Sequence, residues 1–220
     1  MSGAESSRRE ALRLAALGVA GALAAGGLVR PPLAGAQAPE DEDLRDFLVE
    51  AISLEQLTAF AYATASREVD GNTRPTLESF QEQEQAHANA LRQALDALGF
   101  DLPDAPDSTT DTGAFEDVEG LEDEASERLL ELLDELDGLS SPRDYYAFLA
   151  RLEDEQITYY TREGPTVESV DLTTTCAEIA GCQAQHVVVL RGALGDSAEE
   201  AASAAARTAA DAVPRASGGE

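Results

Sequence analysis

The chain contains no lysine; all fifteen of its basic residues are arginine, set against forty-three acids for a net charge of −28. A surface of that sign repels phosphate backbones and anionic headgroups, which argues against nucleic acid and acidic membranes as partners and suits cations or plain solvation. Cysteine is limited to Cys176 and Cys182. Six residues apart on what reads as one helix, they are separated by ~9 Å along the axis and about 240° around it. That is outside bridging range, so two thiols are expected. Histidine is equally scarce, with only His87 and His186. Strand-like alternation is missing too. Past residue 38 the apolar residues recur at three and four, the period of helices.

The first 38 residues stand apart. Ser7-Arg8-Arg9-Glu10-Ala11-Leu12 sets paired arginines ahead of the apolar, glycine-rich run from Leu14 to Val29, and Ala36-Gln37-Ala38 follows with small residues. This order predicts a twin-arginine export signal over residues 1–38, which carries a protein across the membrane already folded. A retained anchor is the alternative, but the run is short of the roughly 20 strongly apolar residues that a span needs. Export in the folded state suits a protein that acquires a metal first. Residues 1–38 carry a net charge of +2, so their removal leaves −30.

The remainder predicts one domain over residues 39–195 and an alanine-rich acidic tail over 196–220, partly disordered and with little to bury. Four long helices are expected, at about 41–68, 75–98, 142–162 and 171–194. Gly99 and Gly195 close the second and fourth, and Ser141-Pro142 opens the third. Between the second and third helices lies a polar loop, 101–120. A short acidic helix follows over 121–136, with Leu129, Leu132, Leu133 and Leu136 at helical spacing. Short connections within each hairpin and a long one between them describe an all-α, antiparallel four-helix bundle with a long crossover.

The two halves repeat each other. The first helix has Leu54-Glu55 with Tyr62 seven residues after the Glu, and the third has Leu152-Glu153 with Tyr160 in the same place. The second carries Glu84-Gln85-Ala86-His87 and then Leu91-Arg92; the fourth carries Gln183-Ala184-Gln185-His186 and then Leu190-Arg191. Both histidines thus fall at equivalent positions. Residues three apart share a helix face, so Glu84 and His87 can reach one metal ion, the carboxylate as a hard oxygen donor and the neutral imidazole as a nitrogen donor. One Glu-x-x-His means little in so acidic a chain; its recurrence in register is the stronger signal. The third helix also allows a register two residues later, which would substitute Glu155, but the Leu-Glu-x₆-Tyr spacing favours Glu153. The tyrosines suit core packing. Cys182, four before His186, reads as a buried small residue rather than a thiol offered to the site.

On the segments Leu54 to Tyr62, Gln83 to Leu95, Leu152 to Tyr160 and Ala184 to Arg191, the chain resembles the bacterial ferritin-like domain proteins that carry a twin-arginine signal. These are relatives of the desiccation-associated ferritin-like group. The resemblance implies a di-metal pattern of one Glu from each of two helices and Glu-x-x-His from each of the others. By that pattern Glu55, Glu84, His87, Glu153 and His186 would bind iron or manganese, as one or two ions. Gln183 stands where the pattern has Glu. Three carboxylates leave two divalent ions with a net positive charge in a low-dielectric core, so one ion, or one tight and one weak, is expected. Two functions follow. One is metal-dependent redox or ferroxidase-like chemistry; the other is a degenerate bundle with a structural, stress-protection or interaction role.

Overall fold

A computed structural model describes residues 42–69, 71–100, 121, 123–162 and 170–212. The predicted export signal over residues 1–38, the 101–120 stretch and the final residues 213–220 lie outside them. The described residues form six helices and no strand: α1 (Glu42–Glu68), α2 (Arg74–Ala97), α3 (Asp123–Asp137), α4 (Pro142–Arg162), α5 (Val170–Leu194) and α6 (Ala198–Ala212). None is long and apolar enough to cross a membrane. They fall into two compact units, divided within α4 between Phe148 and Leu149.

In the first unit α1 and α2 form an antiparallel hairpin, packed along their length. The middle of α1 is buried nearly all round: Leu48, Val49, Ala51, Ile52, Leu57 and Ala61 are inaccessible. Hydroxyls there bond back to their own helix, Ser53 Oγ to the Val49 carbonyl and Thr58 Oγ1 to that of Leu54, each at 2.8 Å. They therefore need no partner on another element. At the turn, Arg74 donates from Nε to the Ser66 carbonyl at 2.8 Å. A cation from the start of α2 thus neutralises the negative end of α1. Gly99 ends α2 at φ +82°, with Phe100 N–H returning to the Leu95 carbonyl at 3.2 Å. α3 lays Leu129, Leu132, Leu133 and Leu136 into the core and touches α1. The start of α4 is held by Ser141, whose Oγ accepts from Asp144 N–H, and by Tyr146, whose hydroxyl meets Thr73 Oγ1 at 2.7 Å.

The second unit comprises α4 from Leu149, α5 and α6. Gly195, at φ +111°, stops α5 as expected. The tail departs from its reading as a segment with little to bury. Residues Ala198–Ala212 form α6, opened by a reciprocal cap in which Ser197 N–H donates to Glu200 Oε2 and Glu200 N–H to Ser197 Oγ. Ala201, Ala204 and Ala205 are buried, with Ala205 in a cluster with Ile157 and Val187. Thr208 donates to Asp154 Oδ1 at 3.0 Å. Small side chains carry little apolar signal, yet they let a helix approach closely. Truncation after Asp196 is expected to cost about 2–4 kcal/mol, from lost methyl burial and one hydrogen bond. That lowers the melting temperature by about 6–12 °C for a chain of this size. A truncated protein that melts with the full chain would refute the docking.

The two cysteines are not bridged to each other; Cys176 is buried and Cys182 half-buried.

Candidate metal centre

Glu55 projects from α1, and Glu84 and His87 lie one turn apart on α2. Glu55 and Glu84 are fully buried and His87 is 7% exposed. The His87 Nδ1 atom is 3.3 Å from Glu55 Oε2 and 3.6 Å from Glu84 Oε2. One ligand atom from each of the three lies within 4.8 Å of the other two, a group that could hold a metal ion. Burial pushes the Glu55 carboxyl well above its ordinary value of 4.5, and the neighbouring Glu84 carboxylate adds to the rise; His87 acts in the opposite sense.

This has a consequence for stability. A carboxyl whose pKa is raised by folding favours the fold while protonated. Its contribution is complete below the unfolded value and is lost as pH climbs through the raised one. Metal-free protein is therefore expected to lose part of its stability through Glu55 as pH rises above about 4.5. A Glu55→Gln variant should lose less over that rise. Equal slopes of melting temperature against pH in the two proteins would contradict the assignment.

The second unit repeats the arrangement. Glu153 and His186 are both fully buried, with His186 Nδ1 3.0 Å from Glu153 Oε1. Each histidine thus presents the same ring nitrogen to the single glutamate of the preceding helix. Glu155, the alternative from the shifted register, is part-exposed and paired with Arg151 at 2.9 Å. The structure brings Glu153, not Glu155, to His186.

The repeat extends one shell outward. With the Gln56 amide oriented so that its oxygen faces Arg92, five after His87, that oxygen accepts from Nη2 at 3.0 Å and from Nε at 3.3 Å. Arg191, five after His186, donates to Asp154 Oδ2 at 2.7 Å. In both halves an arginine on the histidine-bearing helix grips the residue after the buried glutamate. The sequence signal for this was Leu-Arg recurring at the same distance from each histidine.

Two residues near the second pair carry more than their sequence suggested. Cys182 Sγ lies 3.6 Å from His186 Nε2, so the thiol read as inert packing touches the imidazole. Gln156, which drew no attention in the sequence, is fully buried one turn beyond Glu153. The tyrosines pack as expected. Tyr62 is fully buried and edge-on to Phe80 at 5.6 Å, and Tyr160 is buried against Tyr159 at 5.7 Å.

Comparison with known proteins agrees with this geometry. Residues 43–196 match the ferritin-like domain family. The fold is similar to the crystal structure of a hypothetical protein from Methanococcus jannaschii, at a TM-score of 0.57 and 16% identity. That alignment covers 84% of this chain and 98% of the other. No curated protein matches. With the family matched over all four helices that carry the buried glutamates and histidines, the chain belongs to the ferritin-like domain family.

Proposed function

We propose that this is an exported ferritin-like protein that binds iron or manganese through Glu55, Glu84, His87, Glu153 and His186. The observation that carries the reading is the convergence of three buried ligand atoms from Glu55, Glu84 and His87 within 4.8 Å. Two carboxylates and one neutral imidazole fit a hard or borderline divalent cation. The desolvation that raises the Glu55 pKa is the kind of strain that a bound cation relieves. A ferrous or manganous ion with an open position would supply redox chemistry toward dioxygen or peroxide. The chain's own residues hold the ion, keep both imidazoles oriented and bury the donors away from bulk water. The acidic surface favours cations, and Arg8-Arg9 ahead of the apolar run supports folded export by the twin-arginine route.

Melting of chelator-treated protein with and without added Mn²⁺ or Fe²⁺ tests the binding. The wild type should be stabilised by several degrees and a Glu84→Ala/His87→Ala protein should not respond. Metal binding requires deprotonated carboxylates, so this stabilisation should strengthen with rising pH, opposite to the trend of the metal-free protein. Identical responses in wild type and double variant would dismiss these ligands.

Cys182 is a positioning residue in this reading. Where Nδ1 of His186 ligates the ion, Nε2 carries the proton and donates it to the Cys182 sulfur, 3.6 Å away. Such contacts fix a ligand's tautomer and orientation. Cys182→Ala is expected to weaken binding at the second half roughly tenfold or more, and Cys182→Ser to retain most of it, as read by chelator competition. An unchanged affinity in Cys182→Ala would remove this role.

A second reading, a degenerate bundle without catalysis, is favoured by Gln183, a buried amide where the family pattern has a carboxylate. It predicts no metal response in the wild type.

A further inference from the structure

The two halves differ in a way that the ligand pattern does not describe. In the second unit, Glu153 and His186 meet at 3.0 Å. Helices α4 and α5 must run antiparallel there. Were they parallel, the connection over residues 163–169 would have to span ~37 Å of axial offset, given ~1.5 Å per helical residue. Eight residue steps reach only about 28 Å. On antiparallel helices one turn forward on α4 is level with one turn back on α5. Gln156 therefore stands level with Gln183, directly below the Glu153–His186 pair, and all four side chains are fully buried.

The equivalent level in the first unit holds Thr58 and Glu84. Thr58 is satisfied by the Leu54 carbonyl, and Glu84 is one of the three converging ligands. Gln156 is in neither situation. Neither its amide oxygen nor its amide nitrogen has a hydrogen-bond partner among the described residues. A buried amide with both atoms unmatched is unfavourable in a folded core and calls for a guest. The guest must accept from the amide nitrogen and attract the amide oxygen, beside one carboxylate and one imidazole. A hydrated divalent cation does both, taking the oxygen as donor and offering a bound water to the nitrogen.

We infer that Gln156 is a ligand of a second, weaker cation position formed by Glu153, Gln156, Gln183 and His186. This rests on the metal-binding reading above and extends it. Within this unit the position offers one carboxylate, two amides and one imidazole, a donor set that suits a divalent ion. Gln156 thereby provides an oxygen that the carboxylate missing at Gln183 would otherwise have supplied.

Titration of the metal-free full chain with Mn²⁺, following the free ion by electron paramagnetic resonance, separates the possibilities. The wild type should take up one ion tightly and a second more weakly. Gln156→Leu, which removes the donor and keeps the bulk, should fold normally and lose the weaker ion by at least about tenfold in affinity while keeping the tight one. Gln156→Glu should tighten the weaker ion by roughly tenfold or more. Uptake of one ion only by the wild type, or two unchanged steps in Gln156→Leu, would overturn the inference while leaving the Glu84/His87 position intact. No uptake at all would overturn both readings. Uptake abolished by Glu84→Ala/His87→Ala but indifferent to Gln156 would overturn this one alone.

Discussion

A Glu84→Gln variant, which places in the first repeat the amide that the second carries at Gln183, is expected to melt higher than the wild type when both are free of metal. Glu84 is inaccessible to solvent and its Oε2 lies 3.6 Å from His87, in the same cluster as Glu55. Burial raises the Glu55 pKa, and the neighbouring Glu84 carboxylate raises it further, since two carboxylates in a low-dielectric interior disfavour each other's charge. Replacing one with a neutral group of the same shape removes that repulsion and a buried charge together. Exchanging buried ionic groups for neutral ones commonly stabilises by about 1–4 kcal/mol. For a chain of this length the melting temperature should rise by about 3–12 °C. The same substitution should abolish most of the stabilisation that Mn²⁺ or Fe²⁺ confers, because an anionic ligand has gone. Opposite signs in the two experiments are what distinguish a functional carboxylate from a structural one. If Glu84→Gln destabilises the metal-free protein, the cluster is held together by contacts within the protein rather than poised for a cation.

The reverse substitution in the second half should have the larger effect. Gln183→Glu puts a carboxylate at a site with no solvent access, one turn from His186 on α5, itself paired with Glu153. Without metal that charge lacks compensation, and the protein is expected to lose about 3–5 kcal/mol of stability near neutral pH. Acidification should recover much of this, since a protonated Glu approximates the native Gln. Added metal should recover it as well, with affinity at the second position raised on the order of a hundredfold, because ligand charge count sets the strength of such sites. Denaturant melts of the metal-free and metal-loaded forms measure both quantities. Equal stability of Gln183→Glu and wild type without metal would mean that residue 183 has more access to water than its burial implies.

Much of this architecture is legible in the residues. The helix ends at Gly99, Gly195 and Ser141-Pro142 fall where capping chemistry puts them, because a backbone at positive φ or a hydroxyl acceptor has few substitutes. The registration of His87 with His186 identified the buried pairs with Glu55 and Glu153. It works because histidine is rare here, with only two in the chain, and its recurrence in register is improbable. The choice between Glu153 and Glu155 needed the fold, since both sit beside residues that recur in the first repeat. The contribution of α6 was hidden for a different reason. Alanine has too little surface to mark a buried face, but Ala201, Ala204 and Ala205 are buried all the same. Gln156 and Cys182 were hidden because their significance comes from level and contact across helices, which spacing along one helix does not encode. The arginine grips at Gln56 and Asp154 lay between these cases. The Leu-Arg recurrence is visible in the sequence, but what each arginine holds is not.

Elemental analysis of the protein purified after folding in the cytoplasm tests the central claim most directly. Iron or manganese should be present in stoichiometric amount and fall to background in the Glu84→Ala/His87→Ala protein, with helical content unchanged in both. A wild-type protein of intact helical fold that holds neither metal above background, and acquires neither from solution, would contradict it.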